Sequence, residues 1–414
     1  MFHTEFDLRV ARMVETMNHN GLAIDLKQLL QVDALANHQM QLAVKEAKKN
    51  GIDCNLNSQQ QVAKKFRELG IHTGNYTNKD VMSTGKDALM DLWEHHPHME
   101  SLVLAVLSYR NGVKTKGTYV KGIAQRTFRD PVTKVPLMKG ELRFPGTTSW
   151  RLAGKNTPHL TVPKDTQMRK VVVSRYGSKG TIVKGDYSQL ELRVLASLSG
   201  CPDMKKIYDN GLDIHRNTLE GIWGDVKDPE GRLRTRAKAL NFGVVYGSGP
   251  YQMKTTLRKG MVVITEQEAA EWIEGWRATY PVAWRYMAEL QQEAASRMRI
   301  TGPAFGVVRK FEQSQGKPAK KIAKEGANHP IQQGASALTL SAGLILSEKL
   351  SSRDAYLVNL PHDELVVDAL GDGRTEASLM QDSMKEAAER FSWLSVPVMA
   401  DVEVGPSWGE TLPL

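Results

Sequence analysis

The chain has 414 residues, with 55 Lys and Arg against 46 Asp and Glu, a net charge of +9 and two cysteines. That length is enough for several subdomains. The positive balance favours a polyanionic partner such as nucleic acid, while Cys54 and Cys201 are too few for a disulfide framework or a zinc spacing, so two free thiols in a reducing compartment are expected. No apolar run reaches membrane-spanning length, and the mixed, acidic start MFHTEFDLRV has no signal-peptide character.

Residues 1–125 read as mainly helical. Residues 6–17 are amphipathic, Asn18-His19-Asn20-Gly21 breaks the pattern, and Asp25 or a neighbour can cap the long helical stretch 27–49. Asn57 or Ser58 starts another helix, 59–69, ended by Gly70. His95, His96 and His98 cluster without a matching Cys or His partner and read as an exposed helix end. Between 126 and 200 Gly, Thr and Pro rise, and β-like runs occur at 142–144 and 170–173. Residues 181–183 read as a strand running through Gly185 to Asp186, with a helical pattern from Leu190 onward. Residues 201–310 return to helices: Asp213 can cap one that runs through Leu219, and Thr265-Glu266-Gln267-Glu268 is a capping box for one that ends before Pro281. A helix around 327–346 follows, then two apolar runs flanking Pro361-His362-Asp363-Glu364, and a last strand near 398–404.

Three stretches carry chemistry. In KGDYSQLELRVLA, residues 184–196, Asp186 ends a strand and is suited to hold a hard divalent cation, and Glu191 follows five residues later on a new helix. A solvated Asp at a turn gives the same local pattern. In LVNLPHDELVVDAL, residues 357–370, a hairpin presents Asp363 and Glu364 at its turn; an ordinary turn also accommodates Asp, but a sheet would hold the pair rigidly. In between, Arg234, Lys238, Phe242 and Tyr246 recur every fourth residue. On a helix each such step drifts only about 40°, so all four share one broad face. Two cations followed by two aromatic rings suit a triphosphate with a base beyond it, although an amphipathic helix with a snorkelling basic edge has the same spacing.

Together these stretches resemble, in order and content, the three polymerase motifs of the family A DNA polymerases, the bacterial DNA polymerase I group. The likeness extends over nearly the whole chain, from FDLRVARMVETMNHNGLAID to VEVGPSWGE, through NLNSQQQVAKKFRELGI, YRNGVKTKGTYV, DIHRNTLEGIWG, TYPVAWRYM and ANHPIQQGA. The resemblance implies an α+β, right-hand polymerase fold with a helical thumb (1–125, with the N-terminal helix), an antiparallel-sheet palm (126–200 and 313–414) and helical fingers (201–312). It implies a template-directed DNA polymerase that adds deoxynucleoside triphosphates to a primer 3′-hydroxyl with two Mg²⁺ ions, Mn²⁺ being a possible substitute, in a bacterial or virus-infected cytoplasm.

The implied site is specific. Asp186, Asp363 and the backbone carbonyl of Tyr187 hold metal, with Glu364 in support. Arg234, Lys238 and His215 hold the triphosphate, with Lys238 also the implied proton donor to the leaving group. Phe242 packs on the incoming sugar and base, Tyr246 lies where the template base enters, and Gln189 lies near Glu191, the steric gate against a ribose 2′-hydroxyl. Arg151, Asn328, Gln332 and His362 meet the primer terminus or template minor groove, whose acceptors are nearly independent of sequence. Asn55 and Ser58 match the thumb tip, and Lys114, Lys116 and Lys121 suit phosphate contacts or a solvated helix face.

The chain also departs from the family pattern. Where Thr-Gly-Arg-Leu-Ser-Ser is usual, it has Thr148-Ser149-Trp150-Arg151-Leu152-Ala153-Gly154, and His159-Leu160-Thr161-Val162-Pro163 replaces Asn-Leu-Gln-Asn-Ile-Pro. Lys324 stands where Arg is common, and Phe242 rather than Tyr implies discrimination against dideoxynucleotides. The sequence opens at the thumb boundary, so no intrinsic exonuclease is expected, and a separate exonuclease subunit is a possible partner. A related RNA polymerase-like nucleotidyltransferase and a catalytically silent DNA-binding replication subunit are the competing readings. Glu191 with Phe242-Gly243 argues against the first, and the presence of Asp186, Asp363, Arg234 and Lys238 against the second.

Overall fold

The computed structural model describes residues 5–74, 82–164, 167–228, 230–259, 262, 264–312 and 319–414. The chain forms two compact units: Met1–Ala23 with Lys139–Thr161 and Val173–Leu414, and Ile24–Met138 with Val162–Val172. The segment expected to form one thumb, 1–125, is therefore divided. Its first helix, Glu5–Asn20, packs in the larger unit because its apolar stripe, Val10, Met13, Val14 and Met17, is buried in that unit's core. The fingers–palm boundary expected at 312/313 abuts residues 313–318, which lie outside the described residues.

The smaller unit is helical, and its helices begin where the local chemistry requires. The Asp25 carboxylate accepts from the backbone of Lys27 and Gln28 at the start of Leu26–Lys49, and Ser58 accepts from Gln61 at the start of Gln59–Glu68. Ile52, Leu56, Val62, Phe66, Leu89, Leu102 and Val106 close its core. His95, His96 and His98 are exposed at the end of Lys86–His95. The run 170–173, expected as β, is instead the end of a short helix, Gln167–Lys170, followed by single bridges at Val172 and Val173. Three consecutive β-branched valines do not make a strand where only single bridges continue the ladder.

The larger unit is built on a five-stranded antiparallel sheet. Its strand order is Glu410–Pro413, Ala400–Ser407, Gly180–Tyr187, Glu364–Leu370, Ala355–Asn359. The helix Arg374–Glu389 lies close against the strand Gly180–Tyr187. A Cβ on Gly185 would fall 2.5 Å from Met380 Sδ and 2.9 Å from Met384 Sδ, so a larger residue one position before Asp186 would have to displace both methionine side chains. The 31-residue helix Ala319–Lys349 is almost wholly buried from Ile331 to Leu346. Five further helices, Ile214–Trp223, Arg232–Val245, Pro250–Lys259, Glu266–Thr279 and Pro281–Arg297, occupy the segment 214–297. The expected capping box at Thr265 and Glu268 and the Asp213 cap are both present. No helix of the described residues is long and apolar enough to cross a membrane.

Candidate polymerase active site

The acidic positions meet through strand register. Glu364 lies directly across from Asp186 on one side of the strand Gly180–Tyr187, and Asp401 lies directly across on the other. Directly paired residues share a face of the sheet at about 5 Å between Cβ atoms, so three carboxylate-bearing positions form a row. Asp363 precedes this register on the hairpin turn, and its carbonyl accepts the Tyr187 N–H at 3.2 Å. Two segments 177 positions apart (363 less 186) are thus tied at their ends. Asp401 was not singled out from sequence; the alternation Asp401-Val402-Glu403-Val404 is its only local signal.

The neighbouring side chains have distinct employment. The Tyr187 ring is buried and its hydroxyl donates to the Met384 carbonyl at 2.8 Å, on the helix packed against this strand. Only its backbone is left to meet a ligand at the strand end. Glu364 is 2 % exposed and accepts from the indole N–H of Trp408. Among the described residues, no group of three or more His, Cys, Asp or Glu is close enough to enclose a metal. The donors at hand, the carboxylates of Asp186 and Asp363 and the Tyr187 carbonyl, are all oxygen, which fits Mg²⁺. That ion commonly takes one or two protein carboxylates and completes its octahedron with water and substrate phosphates.

The helix Arg232–Val245 carries Arg234, Lys238 and Phe242 of the ladder, and Tyr246 is its C-cap. Arg234 and Lys238 are exposed, while Phe242 and Tyr246 are half-buried. Asp228 caps the helix start, accepting from Leu233 and Arg234 backbone N–H groups at 3.1 and 2.8 Å, and the Arg234 side chain is ion-paired with Asp213.

His215 is 1 % exposed, and burial, with smaller contributions from Arg234 and Lys238, lowers its pKa to about 4. It is therefore neutral near pH 7, and its proton can be placed by elimination. The Trp276 indole can only donate, and it donates to Asn241 Oδ1 at 2.7 Å. That orients the Asn241 amide nitrogen toward His215 Nδ1, 2.9 Å away. Nδ1 must accept, so the imidazole proton is on Nε2. Thr218 and Tyr280 complete this buried network. Asn241 and Trp276 were missed from sequence, since a buried Asn on a helix gives no pattern.

Glu191 is held from two sides. Its Oε2 accepts from the Tyr246 hydroxyl at 2.5 Å, and its Oε1 is paired with Arg151. Burial, then the neighbouring Glu191 charge, raises the Tyr246 pKa. Gln189 sits in the left-handed conformation just before the helix Leu190–Ser199, and its side chain accepts from Tyr208 at 3.4 Å. Arg151 and His362 line one narrow cavity with Ser336 and Leu340; Gln332 is one helical turn before Ser336. Asn328 is half-buried on the same helix, and no described residue bonds its Oδ1.

The remaining expected contacts lie on the smaller unit. Asn55 accepts from Asn57, Ser58 caps its helix, Lys116 pairs with Asp33 at 3.4 Å, and Lys114 and Lys121 are exposed.

The fold is of the right-hand type found in polymerase domains. The model of DNA polymerase family A matches residues 26–410, and the chain belongs to that family. Members of this family work with divalent metal ions. The chain is 30 % identical over 418 residues to DNA polymerase I of Geobacillus stearothermophilus, covering 98 % of this chain and 45 % of that protein. It is 30 % identical to the thermostable DNA polymerase I of Thermus filiformis, covering 99 % and 48 %. The chain thus spans about half the length of the curated relatives it matches. A solved structure described as the POL domain of Pol1 from M. smegmatis in complex with DNA primer–template and dNTP superposes with a TM-score of 0.84 at 24 % identity, covering 97 % of this chain and 70 % of that one.

Proposed function

We propose that the chain extends a DNA primer from its 3′-hydroxyl with deoxynucleoside triphosphates selected by a DNA template. The observation that carries this reading is the register that ties the end of the strand bearing Asp186 to the turn bearing Asp363, in a chain of this family.

Asp186, Asp363 and the Tyr187 carbonyl would hold two Mg²⁺ ions, or Mn²⁺ in their place. When bound, these ions lower the pKa of the attacking hydroxyl and neutralise charge on the leaving pyrophosphate. The protein's own residues then position groups and stabilise charge. Lys238 and Arg234 face solvent where a triphosphate can pair with them, and His215 offers Nε2–H as a neutral donor to a phosphate oxygen. Arg234 is paired with Asp213 through Nε, and the guanidinium keeps further N–H donors for a phosphate. Phe242 and Tyr246, one and two turns further on, would meet the sugar, the base and the templating position. Glu191, fixed by Arg151 and Tyr246, would occupy the space that a ribose 2′-hydroxyl needs. Gln189 lies beside it. Arg151, Asn328, Gln332 and His362 would touch the minor groove at the primer end, and Asn55, Ser58 and Lys114 the duplex behind it. The helical unit is read as the thumb, the sheet as the palm and the helices of 214–297 as the fingers. A proofreading exonuclease on a separate chain is a further proposed partner.

Primer extension with Mg²⁺ tests the reading. Asp186→Ala and Asp363→Ala should each lower extension by orders of magnitude while duplex binding persists. A well-folded wild type that binds duplex and extends nothing would refute it in favour of a silent DNA-binding subunit.

A further inference from the structure

Trp150 stands immediately before Arg151 with φ +64°, a conformation that glycine adopts freely and that crowds the Cβ of any other residue. Its loop is tightly closed: the Trp150 N–H donates to the Thr147 carbonyl at 3.1 Å, the Arg151 N–H to the Thr147 hydroxyl at 3.1 Å, and the Gly146 N–H to the Arg151 carbonyl at 3.2 Å. The Trp150 ring is buried against three others. It stacks on Phe305 with centroids 5.6 Å apart and planes 22° from parallel, and on Phe6 at 5.8 Å and 13°. Phe6 and Phe305 stack on each other at 4.1 Å, and Phe144 meets the indole edge-on at 5.7 Å. Phe305 is itself at φ +56°. Two side chains in a disfavoured backbone state are thus locked together by ring packing, with one ring supplied by the first helix, Glu5–Asn20. Strain of this kind persists only where surrounding packing over-determines it.

On the other side of this anchor is Arg151, paired with Glu191, whose second oxygen accepts from Tyr246. We propose that Trp150 is a positioning residue for nucleotide selection: the Phe6–Phe305–Trp150 stack fixes the reversed backbone that aims Arg151 at Glu191 and thereby fixes Glu191. This rests on the reading of Glu191 as the group that excludes a ribose. The sequence alone hides the arrangement, because Phe6, Trp150 and Phe305 lie in three distant segments. A tryptophan at a position favouring glycine reads there only as a departure from the family motif.

The experiment measures the ratio of deoxy- to ribonucleotide incorporation efficiency in primer extension, for wild type, Trp150→Gly, Trp150→Phe, Phe6→Ala, Arg151→Ala and the Trp150→Gly/Arg151→Ala double variant. The ratio is insensitive to the fraction of folded enzyme, so a purely structural role would not move it. Trp150→Gly keeps the backbone conformation available and removes the ring; it should lower the ratio about tenfold or more. Trp150→Phe should restore most of it, and Phe6→Ala should lower it by less. The double variant should be no worse than Arg151→Ala, because one residue acts through the other. An unchanged ratio in an active Trp150→Gly enzyme, or an additive double variant, would overturn the proposal while leaving the polymerase reading intact. A folded wild type that extends no primer would instead refute that reading and this inference with it.

Discussion

The buried chain Trp276–Asn241–His215 makes a prediction whose two arms differ in sign. Asn241→Leu removes an acceptor and a donor together. The Trp276 indole N–H and His215 Nδ1, both buried, each lose a partner. An unsatisfied buried group costs about 1–3 kcal/mol, so the variant should lose roughly 2–6 kcal/mol in urea unfolding. It also frees the imidazole proton to move to Nδ1, taking the donor away from Nε2. If His215 donates to a triphosphate oxygen, that hydrogen bond to a charged group is worth up to about 1.5–3 kcal/mol, or roughly 10- to 150-fold in nucleotide affinity. Asn241→Asp keeps the acceptor for Trp276 but sets a carboxylate against His215. The pKa of about 4 should rise by roughly 1–3 units, and a protonated ring would carry N–H on both nitrogens. Nucleotide affinity should then survive below the new pKa and fall above it. Nitrogen NMR of labelled histidine, read beside nucleotide KM, checks both arms. A wild-type His215 protonated at Nδ1 would refute the reasoning outright, as would an Asn241→Leu enzyme with unchanged tautomer and KM.

Other consequences follow from the same geometry. His215 should make the protein acid-sensitive: its folded pKa of about 4 lies below the unfolded value of about 6.5, so the unfolded chain binds more protons between them, and stability is lost as pH falls through that window. The contribution is about 3 kcal/mol, and His215→Asn should remove it, seen as a smaller drop in the urea midpoint between pH 7 and pH 4.5. Arg175→Ala should cost about 3–5 kcal/mol, because buried Asp368 loses the guanidinium at 2.7 Å, whereas Arg175→Met with Asp368→Leu should cost less; equal losses would show that the pair is not acting as a buried ion pair. Trp408→Phe withdraws a donor from buried Glu364 and should lower stability by about 1–3 kcal/mol, with an unchanged melting temperature counting against this contact.

Local chemistry was legible in the order of residues. Asp25, Ser58, Asp213 and the Thr265–Glu268 pair cap helices because a cap needs only partners two or three positions away. The face shared by Arg234, Lys238, Phe242 and Tyr246 follows from helical period, and the hairpin around Asp363 from two apolar runs and a turn. Family likeness extended this to the fold, because its motifs recur in order along the chain. Tertiary structure decided what joins distant segments. Register set Asp401 and Glu364 on either side of Asp186, and burial of alternate faces, which no short stretch encodes, fixes register. The same holds for Trp408 on Glu364, Asn241 between Trp276 and His215, and the first helix, whose apolar stripe marked a buried face but not the unit that buries it. A cap is satisfied within one turn of chain; a buried polar group or an aromatic stack is satisfied only by whatever the fold brings to it, and that choice belongs to the packed molecule.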